Sequence, residues 1–171
     1  MKLAHDRSEV GIPAIDIVVA SPLWTSRPDT HAVIRRAIEV AAVTAHARAL
    51  SQAEVAVVLN DDVTIRALNK RWRDQDQPTN VLSFPASGTS DAQPRLLGDI
   101  VIAYETVARE AEQEKKPFNH HLAHVAVHGF LHLLGYDHES DDEAEAMEGL
   151  ERAVLRRLDV PDPYAPAETD A

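Results

Sequence analysis

The sequence predicts an α+β fold: a single domain in which a mixed, mostly four-stranded β-sheet packs with about five helices, and a metal site forms on one helix plus the turn after it. Three observations lead there. Short β-branched, apolar runs alternate with longer segments whose apolar residues recur at helical spacing. Prolines, glycines and short polar residues punctuate the boundaries. The 171 residues, 44% hydrophobic and 26% charged, suffice for one core and show no internal repeat or linker.

The elements follow in order. IDIVVA (15–20) is β-branched and apolar and reads as a strand. From Thr30 to about Leu50, Val33, Ile34, Ile38, Ala41, Ala42 and Ala45 recur at helical spacing, with Asp29 as N-cap. VAVVLN (55–60) is a second strand, and Asp61 and Asp62 open a helix through about Arg73. NVLSFPA (80–86) reads as a strand at an edge or strand end because it contains Pro85. SGTSDAQPR (87–95) is a loop and LGDIVIA (97–103) a fourth strand. Tyr104–Lys115 is a polar helix stopped by Pro117. Asn119 to about Leu134 is an apolar helix with Gly135 as its left-handed C-cap, and Ser140 starts a last helix to about Leu158. The domain is expected to span 1–158, with the Pro- and Asp-rich tail 159–171 flexible.

Composition narrows the functional classes. With no cysteine there are no disulfides and no thiolate ligands, which suits a reducing, cytoplasmic setting. Residues 1–16 lack the apolar core of a signal peptide, and no run is long enough for a membrane span. A net charge of −11 argues against a generic nucleic-acid binder. The charge is uneven, however. Seven acidic residues and no basic one lie from Glu139 to Glu151, whereas RALNKRWR (66–73) has four basic residues and no acidic one. Such a local surface can meet phosphate on an acidic protein.

The chemistry concentrates in HGFLHLLGYDH (128–138). His128 and His132 are four residues apart on one helix, so they share a face about 6 Å apart along the axis. Gly135 lets the chain reverse and bring His138 back toward them. Three imidazoles with a free fourth position are the catalytic form of a zinc site. A rival set, His124, His128 and His132, would spread its ends about 12 Å along a straight helix, too far to share one ion. His124 then packs or supports a ligand, and His120 and His121 are expected in solvent. The bland alternative is a histidine-rich helix packed on the core; the spacing, the glycine and the absence of cysteine favour a metal.

The same spacing occurs in zinc peptidases that carry a catalytic glutamate after the first histidine, where this chain has Gly129. Without that base, amide cleavage lacks its proton carrier, whereas phosphodiester cleavage mainly needs charge stabilisation. Asp137 and Glu139 are possible stand-in bases, or a histidine's partner and a helix N-terminal charge. Upstream, LNKRWRDQDQPTNVLSFP (68–85) ends a basic helix, turns at Pro78 and enters a strand. Its charges form either a solvated face or a phosphate contact through Arg73 or a neighbour. Trp72 is either core or a surface on which a base stacks.

HGFLHLLGYDH, the 72–85 pattern W-R-x-x-D-x-P-T-N-V-L-S-F-P and LGDIVIA together resemble the YbeY family of bacterial rRNA maturation factors, over roughly 55–140. Where family members commonly carry tyrosine before the functional arginine, this chain has Trp72. The resemblance implies one zinc ion per chain on His128, His132 and His138, and a catalytic role for Arg73. It implies a single-strand-specific endoribonuclease in late maturation of the small-subunit rRNA 3′ end and in ribosome quality control. RNA, the ribosomal small subunit and its assembly proteins would be partners, in the cytoplasm and without a membrane. A second reading is a metal-stabilised, non-enzymatic ribosome-assembly factor. A third, a peptidase, rests on spacing alone.

Overall fold

The computed structural model describes residues 11–47, 50–86 and 95–165. It has a four-stranded sheet with order β1-β2-β4-β3. The strands are β1 (Ala14–Val19), β2 (Ala53–Asn60), β3 (Val81–Pro85) and β4 (Arg95–Ala103). The helices are α1 (Thr30–Thr44), α2 (Asp62–Arg73), α3 (Tyr104–Gln113), α4 (Phe118–Leu133) and α5 (Asp141–Arg157). The sheet is mixed: β1 and β2 are parallel, β2 and β4 are parallel, and β3 runs antiparallel to β4. Both the α+β class and the element order match the expectation. The predicted loop at 87–95 lies outside the described residues apart from Arg95, where β4 begins, and so do residues 1–10 and 166–171 of the termini.

Alternation decides which side each strand buries. Val55, Val57 and Leu59 of β2 point into the main core with Ile15, Ile100 and Ile102. A register shift between Glu54 and Val55 leaves Leu97 unpaired, so Leu97 and Ile100 both face that core despite their odd spacing. Gly98 sits at the bulge with φ +141°, and a Cβ there would stand 2.2 Å from the Phe84 carbonyl oxygen. On this side of the sheet α4 packs directly on β3 and β4, and α1 and α5 pack against α4 and against each other. On the other side α2 covers a smaller cluster of Ile65, Leu82, Val101 and Ala103. Pro85 closes β3, which is an edge strand, as its missing N–H requires.

Polar side chains fix the joints. Asp61 accepts the Thr64 N–H at 2.9 Å and Ser140 the Glu143 N–H at 3.2 Å, as N-caps of α2 and α5. Asp62 accepts from the Thr106 hydroxyl at 2.6 Å and so ties α2 to α3. Asn69, itself buried, donates to the Gln77 carbonyl at 2.9 Å and holds the turn that returns from α2 to β3. Two local expectations change. Helix α1 stops at Thr44 rather than near Leu50, because His46 turns left-handed (φ 50°) and Leu50 enters the core from a separate 3-10 turn. Asp29 precedes α1 without a side-chain capping bond.

Gly129 is where α4 meets the sheet. A Cβ on it would lie 3.0 Å from the γ2 methyls of both Ile100 and Val81 and 3.3 Å from Ser83 Oγ. The Ser83 hydroxyl donates to the Gly129 carbonyl at 2.7 Å. The position that bears glutamate in the peptidases therefore faces β3 and β4, where even a Cβ would press tightly on the side chains of the sheet. Gly129→Glu should cost about 4 kcal/mol or more, because it forces an unpaired carboxylate into the core. Urea denaturation of both chains measures this, and a variant as stable as the parent would contradict this account of the packing.

Candidate metal centre

Helix α4 is apolar almost all round, with Leu122, Val125, Ala126, Phe130, Leu131 and Leu133 buried, so its histidines are held by packing on several sides. His128 Nε2 and His132 Nε2 lie 3.0 Å apart. Gly135 has φ +101° beyond the helix end, and the chain turns there so that the His138 ring comes 5.3 Å from that of His132 and 5.9 Å from that of His128. One nitrogen from each of the three rings lies within 4.8 Å of the others. The structure thus brings together the three histidines expected from spacing.

A carboxylate that the sequence reading missed stands behind them. Glu151 of α5 is 0% exposed. Its Oε1 accepts from His128 Nδ1 at 2.5 Å and its Oε2 from His124 Nε2 at 3.0 Å. The Tyr164 hydroxyl donates to the same Oε2. Burial alone would push this carboxyl up; the hydrogen bonds from His124, His128 and Tyr164 outweigh burial and hold it down at about 2. Since a carboxylate only accepts, the His128 proton is on Nδ1 and the Nε2 lone pair is free toward His132 and His138. A signal was present: Met147, Glu151, Val154 and Leu155 form the buried stripe of α5, and an acidic residue in an apolar stripe needs a partner.

The other histidines divide. His124 bonds Glu151 and lies outside the group that converges, which is His128, His132 and His138. His121, expected in solvent, is instead 4% exposed. Its Nε2 lies 3.1 Å from Glu110, which also accepts from Asn80 at 2.9 Å. Glu110 lies on α3, so the pairing is tertiary and invisible to the local pattern. Asn80, Val81, His121, His124, His128 and Tyr164 border a cavity of about 150 Å³ beside the cluster. Asp137 accepts the His138 N–H at 2.8 Å, and Glu139 is exposed. Arg73 is the exposed last residue of α2, and among the described residues it enters no ion pair.

The donor set fits a divalent ion. Burial lowers the His132 pKa, and the neighbouring His128 and His138 lower it further, which favours the neutral imidazole that ligates. The separation of 3.0 Å between two Nε2 atoms is close to the roughly 3.3 Å kept by two nitrogens on one tetrahedral zinc. Three imidazoles and no thiolate leave such an ion one open position.

A family model described as "Endoribonuclease YbeY" matches residues 24–159. A protein named Endoribonuclease YbeY from a Bradyrhizobium strain is 56% identical over 163 residues, covering 92% of this chain and 95% of the relative. One of the same name from Rhodopseudomonas palustris is 56% identical over 157 residues, covering 90% and 91%. A Thermotoga maritima protein solved in solution superposes with a TM-score of 0.53 at 25% identity, covering 91% of this chain and 99% of that one.

Glu151→Ala leaves two histidines without their acceptor and should weaken metal binding about 10–100-fold, read by chelator competition. Glu151→Gln keeps the shape without the charge, and its acid stability separates the two roles. The carboxyl lies lower in the folded chain (about 2) than at its ordinary value of 4.5. Its contribution to stability is therefore complete above pH 4.5 and lost as pH falls toward 2. The glutamine variant should lack that slope in acid denaturation.

Proposed function

The chain belongs to the YbeY endoribonuclease family, and from that premise we propose that it is a zinc-dependent endoribonuclease that cuts single-stranded RNA. Its substrate is the 3′ end of the small-subunit rRNA precursor, and the activity serves late maturation and ribosome quality control in the cytoplasm. The small subunit and its assembly proteins are the partners that compensate for a net charge of −11. No described helix is long and apolar enough to cross a membrane.

The observation that carries this reading is the convergence of His128, His132 and His138 on one point, with Nε2 of His128 left unprotonated by Glu151. These three residues would hold one zinc ion. Bound there, the ion would supply charge to a phosphate oxygen and acidify a water. The chain supplies the rest. Glu151 fixes the His128 ring and its tautomer. Arg73 holds the phosphate through a guanidinium that stays charged and stabilises the extra negative charge of the transition state. The turn after Arg73, held by Asn69, leads back to Asn80 and Val81 on the edge strand β3, so Arg73 meets the RNA strand where it rounds that edge toward His128. Gly129 faces the sheet and Glu151 is committed to imidazole Nδ1, so neither serves as a peptidase base.

That same shortage of acid–base groups supports a second reading, a metal-stabilised assembly factor without catalysis. One comparison separates them. Metal-quantified protein, its His128→Ala/His132→Ala variant and Arg73→Ala are each given a labelled precursor of the small-subunit rRNA 3′ end, alone and in assembled subunits. Cleavage should follow bound zinc, vanish in the histidine variant, and fall about 100-fold or more in Arg73→Ala at unchanged metal content. Equal cleavage by Arg73→Ala and the parent would remove the arginine from the mechanism. Intact substrate with every chain would leave the assembly-factor reading.

A further inference from the structure

Trp72 stands out among the aromatic side chains. Trp24 is buried to 3% exposure and donates from its indole to the Asn60 carbonyl at 2.9 Å. Trp72 remains 61% exposed. Its ring is braced edge-on against Phe84, with centroids 6.3 Å apart, and the Arg71 guanidinium lies 5.2 Å from its centroid. An indole fixed at one edge and largely open to water is an unpartnered apolar surface with a defined orientation.

Its surroundings are basic. Lys70, Arg71 and Arg73 occupy the last turn of α2, all exposed. Arg66 is neutralised by Asp76 at 2.8 Å, and Asp74 is the other acidic neighbour. Four basic side chains thus face two acidic ones, on a chain whose net charge is −11. A helix C-terminus favours such charges for its own dipole, but that does not account for an exposed indole among them. Flat aromatic surface beside a guanidinium, on a helix end that carries further exposed basic side chains, matches a base on a phosphate backbone.

The platform also has a place relative to the histidines. Ser83 and Phe84 are neighbours on β3 and point to opposite sides: Ser83 bonds Gly129 of α4, and Phe84 braces Trp72. Since β3 is an edge strand, a flexible chain on Trp72 reaches α4 by rounding its free edge.

We infer that Trp72, with Lys70 and Arg71, is a docking platform for single-stranded RNA on which one base stacks, away from the metal centre and on the other side of β3. This rests on RNA being the substrate, but it concerns binding alone. It also gives the tryptophan before Arg73 a role distinct from that of the arginine.

The test is emission from the full, metal-loaded chain titrated with a 2′-O-methyl single strand of about twelve nucleotides, a length one groove can track. Because Trp24 is buried, quenching reports Trp72; Trp72→Phe should abolish the signal and Trp24→Phe should keep it. Trp72→Ala should weaken binding about ten-fold or more, and Trp72→Phe much less. Lys70→Glu should flatten the salt dependence. A duplex of the same sequence, whose bases are already stacked, should not quench. The inference fails if the single strand binds without quenching, if Trp72→Ala binds as well as the parent, or if duplex quenches equally. It also fails if no RNA binds there and a protein covers the indole instead. Cleavage without dependence on Trp72 would sink only this inference, and quenching without cleavage only the nuclease reading.

Discussion

The arrangement of the site depends on one buried carboxylate. Glu151 sits at zero exposure in the interior stripe of α5. It remains charged there because His124, His128 and Tyr164 all donate to it. A charge in that position is tolerated only while its donors stay in place, so α4, α5 and the segment after α5 are locked to one another. The cost of burial becomes a constraint on one ring: His128 presents Nε2, and only Nε2, to the other two histidines. Tyr164, in the segment after α5, belongs to this lock.

Helix α4 is constrained on its other side by Gly129. The absent side chain lets the helix backbone approach β3 and β4, and the Ser83 hydroxyl closes the contact. One residue choice therefore removes a peptidase base and seats the histidine-bearing helix on the sheet. The departure from the peptidase pattern is a packing requirement as much as a chemical difference. It moves the likeness between the two motifs from mechanism to ligand spacing.

Charge is distributed to the same end. The acidic first turn of α5 satisfies that helix's N-terminus, whereas α2 collects basic residues in its last turn. The acidic total thus coexists with a cationic surface on the side of β3 away from α4. Asn69 and Asp62 anchor α2 to the returning turn and to α3, so this surface is carried on a fixed element.

Much of this was legible in order along the chain. Strand alternation, helical spacing and caps such as Asp61 and Ser140 are local, and the elements they predict are present in sequence. The histidine triad was legible for the same reason: His128 and His132 share a helix face, and Gly135 sets the turn to His138. Helix α1 was overextended because alanine favours helix without stating where it stops; the stop comes from Leu50 entering the core separately. His121 was misplaced because its partner, Glu110, lies on another helix. Glu151 and Tyr164 went unnoticed because they meet His128 only after α5 has packed. By itself the sequence determined the elements, the ligand spacing and the missing base, all set by contacts within a few residues. Only the tertiary structure decided which His128 nitrogen faces the other rings, which histidines are buried, and on which side of β3 Trp72 lies, because burial and hydrogen bonding between distant segments exist only once the chain is packed.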